Sequence, residues 1–239
     1  MLRGKKMPIY RIADLNIKIN HKYNYTHKLC YTYLHEDQSV EYDFEVSANA
    51  EDYEKDKAAL SGFSDGYLES VSIYREIAKK ILDYDGIILH ASVVEMDGKA
   101  YAFTAKSGTG KSTHTALWTR AFESRARIIN GDKPLIRLID GNLFIYGTPW
   151  CGKEGLNINT KAPLNSICFI NRAKENSIEK LDKNVALTRI FTQLLMPENE
   201  EQADKFFNMV NSIFDNVKFY NLFCNMDLEA ARVAYEGMK

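Results

Sequence analysis

The sequence is poor in cysteine, in proline and in excess charge of either sign. Its four cysteines, Cys30, Cys151, Cys168 and Cys224, lie far apart and form no C-x-x-C pair, which excludes a thiolate zinc site and a dense disulfide framework; reduced thiols are expected. The 31 Lys and Arg against 32 Asp and Glu leave a formal net charge of -1, so no overall positive field exists to hold a nucleic-acid backbone or an anionic membrane by counterion release. Arg3, Lys5 and Lys6 open the chain, but no apolar run of signal-peptide or membrane-spanning length follows them. A cytoplasmic protein is expected, with neither nucleic acid nor membrane as partner. His21, His27 and His35 match no metal spacing and read as exposed strand and turn.

Hydrophobic residues, at 45%, and charged residues, at 26%, have the balance of an ordinary globular protein, and 239 residues can bury a full core. The first fifty residues carry β-branched and aromatic residues in partial alternation at 9–12, 15–19 and 42–46, which predicts a small antiparallel sheet. Apolar positions from Tyr67 to Leu82 recur at three- and four-residue steps, the pattern of an amphipathic helix. Apolar runs at 87–95 and 99–104 flank Asp97-Gly98, a strong hairpin signal. A helix is predicted over 111–122, and strands over 128–131 and 135–146, the latter turning at Asp140-Gly141-Asn142. A strand at 164–170, a helix stopped by Pro197, a longer helix through Phe206 and Phe214, a strand near 219–223 and a helix over 228–235 complete the pattern. This predicts an α/β fold with an antiparallel-rich mixed sheet, as a β-rich segment, 1–62, packed on a core domain, 63–239.

Residues 105–113 read Ala-Lys-Ser-Gly-Thr-Gly-Lys-Ser-Thr, close to the phosphate-loop pattern G-x-x-x-x-G-K-[ST]. Glycines at 108 and 110 can take backbone conformations closed to other residues, so successive N–H groups converge on an anion at a helix start. Ser107, Gly108, Thr109, Gly110, Lys111, Ser112 and Thr113 are thus the candidate cradle for ATP. Lys111 supplies charge and Ser112 a hydroxyl for Mg²⁺. Ala105 stands where the pattern has its first glycine, and must avoid a positive φ or bear a modest strain there.

The run Leu89-His90-Ala91-Ser92-Val93-Val94, the turn Asp97-Gly98, the loop 106–113 and Asn130-Gly131-Asp132 before Ile136-Arg137 resemble the HPr kinase/phosphorylase catalytic domain and, more distantly, the ATP-dependent phosphoenolpyruvate carboxykinases. The resemblance implies a phosphate-loop core on an antiparallel-rich sheet. It carries the family's histidine onto His90 and its post-loop acid onto Asp132, as catalytic residues beside Lys111, with Ser112 and Asp132 organising the metal. The family usually has two adjacent aspartates, whereas Gly131 precedes Asp132 here. Self-association into a homo-oligomer is implied by the same analogy.

Phosphoryl transfer needs a positioned nucleophile and an offset for phosphate charge, which suits an acid at Asp132. Lys153 and Glu154, glycine-flanked beside Trp150 and Cys151, form a candidate substrate loop. The expected function is an ATP- and Mg²⁺-dependent kinase acting on a hydroxyl of a small molecule, amino acid or peptide serine. The alternatives are a nucleotide-binding regulatory module without transfer and, ranked below both, a carboxykinase. Asp140 reads as a turn residue, and His114 receives no role.

Overall fold

The computed structural model describes residues 7–59 and 62–239, and the chain divides into two compact units, the second beginning at Leu82. In the first unit β1 (Ile9–Ile12) and β2 (Leu15–Asn20) pair antiparallel, and Ile12, Ile17 and Ile19 point into the interior. The third strand, β3 (Phe44–Ser47), runs parallel to β2, so the expected all-antiparallel arrangement is corrected. The intervening stretch makes a crossover that contains helix α1 (Asn24–Leu29), in place of the exposed strand and turn read around His27. Helices α2 (Ala50–Ala59) and α3 (Asp65–Lys80) follow. Helix α3 packs on β3, α1 and α2, which groups it with the first unit rather than with the chain after residue 62. The buried Glu69 carboxylate on α3 accepts the amides of Lys22 and Tyr23 ahead of α1, satisfying N–H groups that have no helical partner.

The second unit is one mixed sheet of β4 (Gly86–Ile88), β5 (Ser92–Met96), β6 (Lys99–Thr104), β7 (Ala126–Asn130), β8 (Leu135–Ile139), β9 (Asn142–Tyr146), β10 (Lys161–Arg172), β11 (Ser177–Lys180) and β12 (Lys218–Cys224). The apolar run at 87–95 is not one strand: β4 pairs with β8, and the chain then crosses to β5. Two hairpins close where turn chemistry predicts them, Asp97 and Gly98 at φ 52° and 76°, and Asp140 and Gly141 at φ 49° and 76°. Strand β10 changes partners along its length. Lys161–Pro163 pair antiparallel with β9, and beyond a bulge at Leu164 the strand runs parallel to β6 on one side and β12 on the other.

Helices cover both sheet faces. Phe206, Met209, Val210 and Ile213 of α6 (Glu200–Asn216), with Ala186 and Ile190 of α5 (Lys183–Ile190), pack in one cluster with Ala100, Ala102 and Ile167. On the other face Leu117 and Trp118 of α4 (Lys111–Phe122) and the Ala230, Ala231, Ala234 and Met238 stripe of α7 (Leu228–Met238) meet Tyr101, Phe103 and Leu222. The alternation Ala100, Tyr101, Ala102, Phe103 divides β6 between the two clusters, as a period of two requires. Among the described residues no helix is long and apolar enough to cross a membrane. All four cysteines are buried free thiols.

His114, in the first turn of α4, belongs to this core. It is 2% exposed, lies edge-on to Phe103, and its Nε2 accepts the Trp118 indole N–H at 3.0 Å, which leaves the proton on a buried Nδ1 with no partner. Burial pushes its pKa from the ordinary 6.5 down to about 3. The folded state therefore holds His114 neutral while the unfolded chain binds a proton below pH 6.5, so its contribution is present above that pH and is lost as pH falls toward 3. Between pH 7 and pH 5 the wild type should lose about 2 kcal/mol more than His114→Gln, measured by urea unfolding. Parallel losses in the two proteins would contradict a buried neutral imidazole.

Candidate functional site at the glycine loop

The loop between β6 and α4 is shaped by two glycines in the positive-φ region, Gly108 at 76° and Gly110 at 120°. A Cβ on Gly108 would meet nothing within 4 Å, so glycine is required there for its backbone conformation and not for space. Ala105 takes no positive φ and sits buried at the end of the strand. The Thr109 amide closes the loop onto the Lys106 carbonyl at 3.2 Å, and Lys111 opens the helix. Its ammonium is buried, donating to the Ala105 carbonyl at 3.3 Å. Burial pulls the Lys111 pKa down, nearby Asp132 opposes that and Lys133 reinforces it. Ser107 and Thr113 are exposed, and Thr109 and Ser112 half-buried.

Asp132 reaches the same place from β7 by way of a built turn. The fully buried Asn130 side chain accepts the amides of Asp132 at 2.9 Å and Lys133 at 2.8 Å, and donates to the Thr148 carbonyl at 3.0 Å. A Cβ on Gly131 would stand 2.5 Å from the Cys151 carbonyl oxygen, so no side chain fits at that position. The Asp132 carbonyl accepts the Ala91 amide at 3.0 Å, which draws the residue beside His90. The His90 Nε2 then lies 3.1 Å from Asp132 Oδ1, and the Lys133 ammonium 3.5 Å from Oδ2. Burial pushes the Asp132 carboxyl up, but the hydrogen bond from His90 and the charges of Lys133 and Lys111 outweigh it and hold the group below the usual carboxylate range.

His90 is itself fixed by its backbone, its amide donating to the Gln193 carbonyl at 2.8 Å and its carbonyl accepting the Thr104 hydroxyl at 2.9 Å. The loop carrying Lys153 and Glu154 also borders Asp132. An ideal Cβ on Gly152 would lie 3.2 Å from the Asp132 Cβ and 3.5 Å from a Glu154 carboxylate oxygen. Lys153 is exposed on that loop and makes no ion pair with Asp132. Burial raises the Cys151 thiol above its ordinary range against a backbone hydrogen bond that lowers it, and the Asp132 and Glu154 carboxylates add to the rise.

His90, Lys111 and Asp132 thus come together, with Glu154 at their margin. Lys133 and Asn130 complete these surroundings, and Arg172 and Arg189 border the glycine loop itself. The Asn-Gly-Asp triplet is a readable signal for Asn130, since an asparagine two residues ahead of a turn amide commonly accepts it. No local signal marks Arg172, whose guanidinium donates to the carbonyls of Thr109 at 3.0 Å and Gly108 at 2.5 Å, 63 and 64 positions away.

Among the described residues no group of three or more His, Cys, Asp or Glu could hold a metal ion. A magnesium ion does not require one, because it is usually held by one or two protein oxygens together with the phosphates that it accompanies.

No family model matches this sequence, and no curated protein matches it. Among solved structures the fold is similar to the Hpr(Ser) kinase/phosphatase from Coxiella burnetii, at 8% sequence identity and a TM-score of 0.37, over 63% of this chain and 95% of that one.

Proposed function

We propose that the chain binds ATP with Mg²⁺ at the glycine loop and transfers the terminal phosphoryl group to a hydroxyl. The observation that carries the reading is the Asp132 carboxylate, kept ionised beside a buried lysine at the mouth of a loop with two positive-φ glycines. Amides of residues 107–113 face the phosphates and Lys111 offsets their charge. Ser112 and Asp132 would hold the magnesium that arrives with the nucleotide, and its charge would stabilise the leaving diphosphate.

The acceptor oxygen attacks the terminal phosphorus, the bond from that phosphorus to the bridging oxygen breaks, and the electron pair leaves with the diphosphate. The acceptor proton passes to an Asp132 carboxylate oxygen. His90, on Oδ1, orients that carboxylate, and holding the acceptor in line with the terminal phosphorus supplies on the order of 7–11 kcal/mol for a well-aligned pair. The acceptor is a small alcohol, an amino acid or a peptide serine, and Glu154 and Lys153 stand on the loop bordering Asp132 to meet it.

Gly131 favours one other reading. The Cys151 carbonyl leaves no room for a side chain there, so the turn bears a single carboxylate, as in a nucleotide-binding regulatory module without transfer. Incubation with γ-labelled ATP and Mg²⁺ against pools of polyols, sugars, serine and serine peptides separates the two. Wild type should be stabilised by nucleotide and should label an acceptor, and Lys111→Ala should lose both. Stabilisation without label leaves the regulatory reading, and a wild type that ATP does not stabilise overturns both.

A further inference from the structure

One edge of the sheet gathers every element of the site, and its order separates two flanks. Pairing places Asn130 of β7 opposite Val93, Ser92 of β5 opposite Phe103, Thr104 of β6 opposite Phe169, and Arg172 of β10 opposite Cys224. Asp132 and His90 therefore leave the sheet on the β7 and β5 side of the glycine loop, and Arg172 leaves it on the β10 and β12 side. Strands β6, β10 and β12 are parallel, and the crevice beyond the carboxyl ends of such strands is where ligands seat in α/β sheets.

A cleft of about 560 Å³ occupies the second flank, lined by residues 105–109 and 170–172 and by Arg189. Its charged side chains are Lys106, Arg172 and Arg189, and no carboxylate lines it. Arg189, half-buried on α5, is held by the Asn221 side-chain oxygen at 2.9 Å and lies 4.3 Å over the Phe169 ring, partners that carry no negative charge. Lys106 is exposed and makes no ion pair or side-chain hydrogen bond among the described residues. A guanidinium drawn out of water without a counter-charge is costly, and here burial lowers its pKa. Its planar fork of donors matches an oxyanion in geometry as well as charge.

We infer that this cleft is a second oxyanion subsite, which takes a phosphate or carboxylate group of a ligand on Arg189 and Lys106, across the loop from Asp132. It deepens the phosphotransfer reading and rests on it where Ser107, Gly108 and Thr109 line both this cleft and the proposed ATP cradle, while Arg189 and Lys106 belong to the cleft alone. The anion has two sources, the nucleotide's own phosphate chain or a separate acidic ligand.

Calorimetric titration of inorganic phosphate into the full chain, alone and with saturating ATP and Mg²⁺, distinguishes them. Arg189→Gln should weaken one phosphate site about tenfold or more, since a charge-assisted bond is lost. Arg189→Lys should restore it in part, and that site should survive Lys111→Ala. Lys106→Ala, an exposed change that cannot disturb packing, should weaken the same site by about threefold, and it decides the matter if Arg189→Gln fails to fold.

If ATP removes the Arg189-dependent site and binds more weakly to Arg189→Gln, the anion is the nucleotide's. If phosphate still binds on top of ATP, a separate acidic ligand owns the cleft. Both outcomes uphold the subsite. Phosphate binding that ignores both substitutions and depends on Lys111 alone overturns it. Should wild type bind no ATP, the nucleotide reading fails by itself and the phosphate titration still decides the cleft.

Discussion

Asp132→Asn should lower phosphoryl transfer by about 10²- to 10⁴-fold, the range for removal of a positioned general base, while nucleotide still stabilises the protein against heat. The substitution keeps the shape of the side chain and the turn beneath it, because Asn130 grips the backbone amides of 132 and 133 and not the carboxylate. What it removes is charge and basicity. The carboxylate is held below its ordinary pKa range by the His90 hydrogen bond, Lys133 and Lys111 acting against burial, so it is ionised throughout the neutral range and free to accept a hydrogen bond from the acceptor hydroxyl. An amide at the same place takes up no proton. The measurement is initial-rate transfer from γ-labelled ATP, beside thermal unfolding with and without nucleotide. Transfer at the wild-type rate would return Asp132 to a turn residue, whatever the nucleotide does.

Gly147→Ala should destabilise the fold by about 3 kcal/mol, at the upper end for overpacking, although it adds a single methyl group. Gly147 follows β9, and a Cβ there would fall on the backbone carbonyl oxygens of Ile158 and Ile129. Backbone has no rotamer with which to step aside. The two segments are joined by the Ile158 amide donating to the Ile129 carbonyl at 3.0 Å, and Asn130 bridges Asn157 next door, so parting them also disturbs the turn that carries Asp132. Gly141→Ala is the control. Its φ is 76° and nothing lies within 4 Å of an added Cβ, so only conformational strain of about 1 kcal/mol is expected. Urea unfolding of both variants decides it: a cost at Gly147 no larger than at Gly141 would mean that the close backbone approach is absent.

Much of the second unit was legible because its signals are short-range. A left-handed pair such as Asp97-Gly98 or Asp140-Gly141 closes a hairpin by its own dihedral angles, and the helical periods through Phe206 and Phe214 and through Leu228 and Tyr235 mark faces buried on the sheet. The glycine loop is legible for the same reason, since its spacing places two permissive residues and one lysine at a helix start. The misreadings are also informative. The apolar run at 87–95 carries no local sign of the break between β4 and β5, because each half is equally at home in a buried strand and only their different partners separate them. Strand β3 runs parallel because of a crossover, a property of its neighbours and not of its own residues. Strand β11, short and largely exposed, has too little burial to leave a pattern.

The amino-acid sequence by itself determined the pieces that need only a few consecutive residues: the turns, the amphipathic helices, and the loop of residues 105–113 with Lys111, whereas Asp132 and His90 are implied by the family resemblance. Only the tertiary structure decided what meets across the sheet edge. Burial of Asn130 sets the turn under Asp132, the Ala91 amide brings His90 to its carboxylate, and strand β10 delivers Arg172 to loop carbonyls more than sixty positions away. The reason is physical: backbone dihedral preference and side-chain period act over a handful of bonds, whereas strand order and register are fixed by burying both faces of one sheet at once, and the functional groups stand wherever those strands end.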